Sequence, residues 1–198
     1  MRKERPTNYQ RNLPHWRAEG ALYFVTFRTA DSIPRHVYAE WLQDRELAHR
    51  DSDLTPVDID AFNLHQARKL FSSLDKCSGE CLLKNRIFAK VVADALIFHH
   101  LIKLRCGDFI IMPNHVHWIV APLDGYTLEE TLHSVKRWTA REINKLLGRS
   151  GSFWQKESFD RIIRDQGELG RTRDYIEKNG EKARLEKEEF LYHRAEWL

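Results

Sequence analysis

ALYFVTFRT, residues 21 to 29, is an alternating run of aromatic and β-branched residues and predicts a strand. Helical spacing follows over about 35–50, after DSIP, and again over about 57–73, with Pro56 and Asp58 near the start of the second helix. LDKCSGECLL (74–83) reads as a turn with a short extended piece after Gly79, and NRIFAKVVADALIFHHL (85–101) returns to a helical period. LRCGDFIIMP (104–113) and HVHWIVAP (115–122) predict two strands of an antiparallel hairpin, joined at Pro113-Asn114. TLEETLHSVKRWTAREINKLL (127–147) predicts a long helix with Thr127 at its start. Its buried stripe is Leu128, Leu132, Val135, Thr139, Ile143 and Leu146. FDRIIRD (159–165) predicts a short strand, QGELGRTRDYIEKNG a helix closed by Asn179-Gly180, and the remainder a charged helical tail.

That order of elements implies an α+β fold, an antiparallel sheet with helices on one face. The 198 residues suit a single domain: an N-terminal arm over 1–20, a core over 21–180 and a helical tail over 181–198. No internal repeat or low-complexity tract interrupts it.

Composition narrows the class more than the function. Hydrophobic residues at 42% and charged residues at 31% describe a chain able to bury a core. A net charge of +3 is too small to identify an anionic partner unaided. The opening MRKERPTNYQRNLPHW is charged and broken by prolines, unlike a signal peptide, and no run reaches the roughly 18 apolar residues of a membrane span. Three cysteines, Cys77, Cys81 and Cys106, suit a reduced, cytoplasmic protein, and their spacing is not that of a zinc finger or ribbon.

The chemistry is concentrated in MPNHVHWIV, residues 112–120. Side chains two apart on a strand share a face, so His115 and His117 can converge on one ion while Val116 enters the core. The same spacing also describes a plain polar sheet face. Two imidazoles leave a metal's shell incomplete. Tyr175 and Asn179, four apart on the last core helix, share a face one turn apart. Asn179 offers a carbonyl oxygen and Tyr175 a nucleophilic hydroxyl. Equally, Tyr175 can pack its ring on the sheet while Asn179 caps the helix before Gly180.

Taken together, the motifs resemble the single-tyrosine transposases with a His-hydrophobic-His signature, and specifically the REP-associated tyrosine transposases. The resemblance runs through YFVTFRT (23–29), VVADALIFHH (91–100), MPNHVHWIV, the segment with Trp154, Gln155, Phe159, Asp160, Ile163 and Arg164, and finally Tyr175, Ile176 and Asn179. It spans about residues 12–185. It implies a ferredoxin-like or RRM-like core plus extra helices, with the histidines on a central strand. It further implies His115, His117 and Asn179 as metal ligands and Tyr175 as the nucleophile.

The implied reaction is cleavage and rejoining of single-stranded or hairpin DNA through a 5′-phosphotyrosine. Mg²⁺ or Mn²⁺ is the implied ion, since phosphate oxygens are hard ligands. One phosphodiester replaces another, so no ATP is needed, in keeping with the lack of a G-x-x-x-x-G-K-[ST] loop. Candidate DNA contacts are Arg11 in the arm, Arg28 on the first strand, and Arg137, Arg141 and Lys145 along one line of the long helix. Trp16, Trp138 and Trp154 are candidates for stacking on unpaired bases, with a core role expected for two of the three. Both a homodimer and a monomer fit the sequence. Gly180 stands where the family usually has proline, which sustains an alternative: a domesticated, catalytically inactive module that holds hairpin nucleic acid without cutting it.

Overall fold

The computed structural model describes residues 7–10, 14–17, 20–50 and 56–198. Strands β1 (Thr7–Gln10) and β2 (Pro14–Arg17) pair with each other in the arm. Then follow β3 (Leu22–Arg28), α1 (Arg35–Arg50), α2 (Pro56–Leu74), a 3-10 turn (Leu82–Lys84), α3 (Arg86–Ile97), β4 (Leu104–Met112) and β5 (His115–Pro122). The chain continues through α4 (Leu128–Leu146), β6 (Phe159–Ile163), α5 (Gln166–Lys182) and β7 (Leu191–His193).

The main sheet is antiparallel, in the order β6-β3-β5-β4-β7. Within it, β3-α3-β4-β5-α4-β6 is a ferredoxin-like unit, and the class is α+β as expected. Alternation divides the sheet's two faces. Tyr23, Val25, Phe27, Val116, Trp118 and Val120 pack against the core helices α3 and α4. The helices are not confined to one face as expected: the extra helices α1, α2 and α5 cover the other, against Phe24, Ile110, Met112 and Ile119. His115 and His117 belong to this second face, directly across from Arg28 and Thr26 of β3.

The helix starts follow local chemistry. Asn85 accepts from Ile87 N at 2.9 Å to begin α3, Thr127 and Glu130 form a reciprocal capping box on α4, and Asp165 accepts from Glu168 N at 2.7 Å to begin α5. The stripe expected on α4 holds through Ile143, but Leu146 is 57% exposed. Leu147, a full turn beyond Ile143, packs on the core in its place.

The last quarter of the chain departs further from its pattern. Helix α5 does not close at Asn179-Gly180: it continues to Lys182, and Arg184 (φ 57°) takes the left-handed position. The expected helical tail is a correction, since residues 191–193 form β7 on the open edge of β4. The charged run hid a short apolar stretch, Phe190-Leu191-Tyr192, which supplies that edge strand. The piece after Gly79 is the 3-10 turn rather than extended, and α3 stops at Ile97, short of residue 101.

Candidate active site

Strand β5 lies at the centre of the sheet, where Val or Ile in place of a histidine would contribute about 1.5–3 kcal/mol of burial each. His115 and His117 are nevertheless fully buried there. Their Nε2 atoms face each other at 3.1 Å. Each Nδ1 has its own partner: Asn114 Oδ1 at 2.8 Å for His115 and Thr26 Oγ1 at 2.7 Å for His117. The Asn114 amide nitrogen donates to Ser78 O at 3.0 Å, which turns its oxygen toward the ring. By this network His115 carries its proton on Nδ1 and presents a bare lone pair at Nε2. Two imidazole nitrogens at that distance need a proton or a cation between them.

Helix α5 brings Tyr175 to the same point. Its hydroxyl lies 3.2 Å from His117 Nε2, and its ring packs against Phe24 and Phe71. Asn179, one turn on, is fully buried, and neither atom of its carboxamide has a hydrogen-bond partner. It lies near enough to the Tyr175 hydroxyl to favour the phenolate slightly, at a geometry short of a hydrogen bond. An orphaned buried carboxamide is costly, about 1–3 kcal/mol, unless something absent from the protein chain completes it.

Electrostatics follow burial. Desolvation pushes His115 down to about 3, and it pushes His117 well below its ordinary value, with the His115 and Lys182 charges adding to the effect. Both rings are therefore neutral at pH 7, the state in which imidazole binds metal. Burial holds the Tyr175 proton on, raising its pKa above the ordinary value, and the Asp75 charge reinforces this. Lys182 bridges the region, 5.5 Å over the Tyr175 ring and 3.3 Å from Asp75.

These donors fit a divalent ion. Two imidazole nitrogens 3.1 Å apart suit adjacent positions around an octahedral ion, whose cis ligands at bonds of about 2.1 Å lie about 3.0 Å apart. Among the described residues no cluster of three or more His, Cys, Asp or Glu side chains competes as a metal site.

Of the expected DNA contacts among the described residues, Arg28 lies beside this point and the three on α4 do not. Arg137, Arg141 and Lys145 are exposed on α4, which covers the opposite face of the sheet. Arg137 lines a groove with Lys136, Trp154 and Lys156, whereas Arg141 pairs with its neighbour Glu142 at 2.9 Å. Arg28 is buried beside His115, donating to Ser32 Oγ at 3.1 Å and stacking over Tyr38. Arg11 lies outside the described residues, and nothing is described of the Trp16 side chain. Trp154 is a core residue, donating to Thr139 Oγ1 at 2.8 Å, while Trp138 is 41% exposed.

Sequence reasoning missed Asn114, Thr26 and Phe71. The first was legible as the residue before the motif, and the second follows from strand register. Phe71, which stands edge-on to His117 at 5.1 Å, comes from a distant helix with no motif of its own. Among the described residues no helix is long and apolar enough to cross a membrane.

Comparison with known proteins bears on the same segment. Residues 98–179 match the family model described as "Transposase IS200 like". No curated protein sequence matches the chain. Among solved structures it is similar to a REP-associated tyrosine transposase bound to a REP hairpin. That similarity has 12% identity and a TM-score of 0.48, over 89% of this chain and 73% of that one. The segment similar to that transposase family model contains both histidines, Tyr175 and Asn179.

Proposed function

We propose that the protein cleaves and rejoins single-stranded DNA at hairpin repeats, with Tyr175 as nucleophile and His115, His117 and Asn179 holding a divalent ion. The observation that carries this reading is the convergence of the Tyr175 hydroxyl on two neutral, facing imidazoles of the same chain. In the reaction, the Tyr175 oxygen forms a bond to a phosphorus and the bond from that phosphorus to the 3′ oxygen breaks. The products are a 5′-phosphotyrosine and a 3′-hydroxyl, and the phenol proton is the balance of the one the 3′ oxygen takes up. Bond types are conserved, so the step reverses readily and rejoining uses the same site.

The chain's own residues orient and exclude. Phe24 and Phe71 confine the Tyr175 ring, and Thr26 and Asn114 fix the two imidazoles. A buried phenol above its ordinary pKa is a weak nucleophile by itself. A bound divalent ion supplies positive charge that favours the phenolate and offsets charge developing on the phosphate. The donor set carries no carboxylate, and its two imidazoles favour Mn²⁺ over Mg²⁺.

A second reading, a hairpin-binding module that does not cut, rests on the closure of the site: His115, His117 and Asn179 have no exposed surface. Incubation with end-labelled hairpin DNA and Mn²⁺ separates the two. The first reading expects a denaturation-resistant protein–DNA adduct with the wild type and none with Tyr175→Phe. Binding without an adduct under any metal supports the second.

A further inference from the structure

Helix α5 carries the tyrosine, yet little of what fixes it lies in the site. Two residues before Tyr175, Arg173 turns to the far side of the helix. Its Nε and Nη2 donate to the buried Asp108 carboxylate at 2.9 and 3.3 Å. The same guanidinium donates to the main-chain oxygens of Leu198, at 2.6 Å, and Ala195, at 3.2 Å. Asp108 accepts in turn from Ala195 N at 2.8 Å. One ion pair thus ties together α5, β4 and the segment 190–198.

Asp108 can take part because β4 changes register between Cys106 and Phe109. The irregularity keeps both Cys106 and Phe109 in the core beneath α3 and α4, and delivers Asp108 to the α5 side. Gly107 is needed there, since a side chain would strike Ile119 and Leu198. Trp197 then donates to Cys106 O and lies 4.2 Å beneath the Arg105 guanidinium.

A second fastening lies nearer the C-terminal end of the helix. Phe190 sits flush on the α5 backbone at Gly180, where a methyl group would overlap its ring. The chain just before β7 is anchored by Arg86, which donates to Phe190 O at 3.0 Å and Lys187 O at 3.1 Å. Gly180 therefore has a packing reason, independent of helix termination. Tyr175 lies between these two fastenings.

We propose that Arg173 is a positioning residue: with Asp108 and the segment 190–198 it straps α5 to its own sheet, so that Tyr175 meets His117 of the same chain. This deepens the function proposed above and rests on it for its catalytic consequence alone. The strap's hydrogen bonds involve none of His115, His117 and Asn179. Its loss changes where the nucleophile stands rather than what the site contains. A displacement of the reacting atom by about 1 Å is enough to slow a reaction by about 100-fold.

The test uses the full chain with Arg173→Leu, Arg173→Lys and Phe190→Ala, the last two covering the case in which Arg173→Leu does not fold. Amide hydrogen exchange is measured over 166–182 and over β5, together with hairpin affinity and the rate of adduct formation with Mn²⁺. The strap predicts faster exchange in α5 with β5 unchanged. It also predicts adduct formation slowed about tenfold or more at hairpin affinity within about threefold, and a partial return in Arg173→Lys. Wild-type exchange in α5 of both Arg173→Lys and Phe190→Ala overturns the strap, as does an adduct rate that falls only in step with hairpin affinity. If the wild type forms no adduct at all, the cleavage reading fails, while the exchange measurement still decides whether the strap exists.

Discussion

Tyr175 places its hydroxyl 3.2 Å from Nε2 of His117, fifty-eight residues earlier in the same chain. The proposed nucleophile and a proposed metal donor thus meet within one chain. Tyr175→Phe removes one hydrogen bond and keeps the ring on Phe24 and Phe71. Its expected stability cost is about 0.5–1.5 kcal/mol, with hairpin affinity unchanged and adduct formation abolished. Thermal melting, a binding titration and a denaturing gel check the three parts separately.

Asn179 invites a test in which stability and function move in opposite directions. Its carboxamide is buried with no partner, so Asn179→Leu, of similar volume, is expected to stabilise the metal-free protein by about 1–3 kcal/mol. The same change removes the oxygen proposed as a metal donor and is expected to weaken the response to Mn²⁺. Denaturant titration in chelator, then in Mn²⁺, measures both. Loss of stability in chelator would show that the carboxamide has a structural partner after all.

Metal itself should act as a stabilising ligand. At Mn²⁺ of 100 times its dissociation constant, binding to the folded state alone adds about 2.7 kcal/mol. His115→Ala and His117→Ala are expected to lose that gain, while Arg141→Ala, on the opposite face, keeps it. Calorimetric melting with and without Mn²⁺ reads the difference.

Acid should destabilise the metal-free protein through the same rings. His115, pushed down to about 3 in the fold, has an ordinary value near 6.5 when unfolded, so the unfolded chain binds the extra proton between those limits. Stability is full above about pH 6.5 and falls as pH drops toward 3, with His115 alone accounting for a loss on the order of 2 kcal/mol between pH 7 and pH 5. His117 shifts in the same direction and adds to the slope. In His115→Asn/His117→Asn the slope between pH 7 and pH 5 is expected to flatten, as measured by denaturant midpoints.

Much of this architecture was legible because the patterns were local. Alternation in ALYFVTFRT and HVHWIVAP marked the two central strands, and Thr127 marked the start of α4. His115 and His117 were legible as one face by spacing, and Tyr175 with Asn179 as one helix face. That the two faces meet came from the family resemblance, since nothing local joins β5 to α5. The tail was misread because charged residues at helical spacing look alike whether or not an open strand edge waits for them. Asp108 and Arg173, sixty-five residues apart, were not legible either: a register change in β4 is what turns the carboxylate toward α5.

Closure of the site explains a further expectation. Phe71 of α2 stands edge-on to His117 at 5.1 Å, and His115, His117 and Asn179 have no exposed surface. Removing that ring in Phe71→Ala is expected to speed Mn²⁺ uptake several-fold, at some cost in stability. Stopped-flow measurement of metal binding checks it, and an unchanged rate would mean that ions enter by another route.

The central claim is that Tyr175 is the nucleophile. Its most direct measurement is the mass of the peptide that carries DNA after reaction with Mn²⁺ and a hairpin. Trypsin releases Tyr175 within DYIEK, residues 174–178. The account predicts the added nucleotide mass on that peptide, through a 5′ phosphate on the tyrosine oxygen. Nucleotide on any other peptide, or an adduct of unchanged yield from Tyr175→Phe, would contradict it.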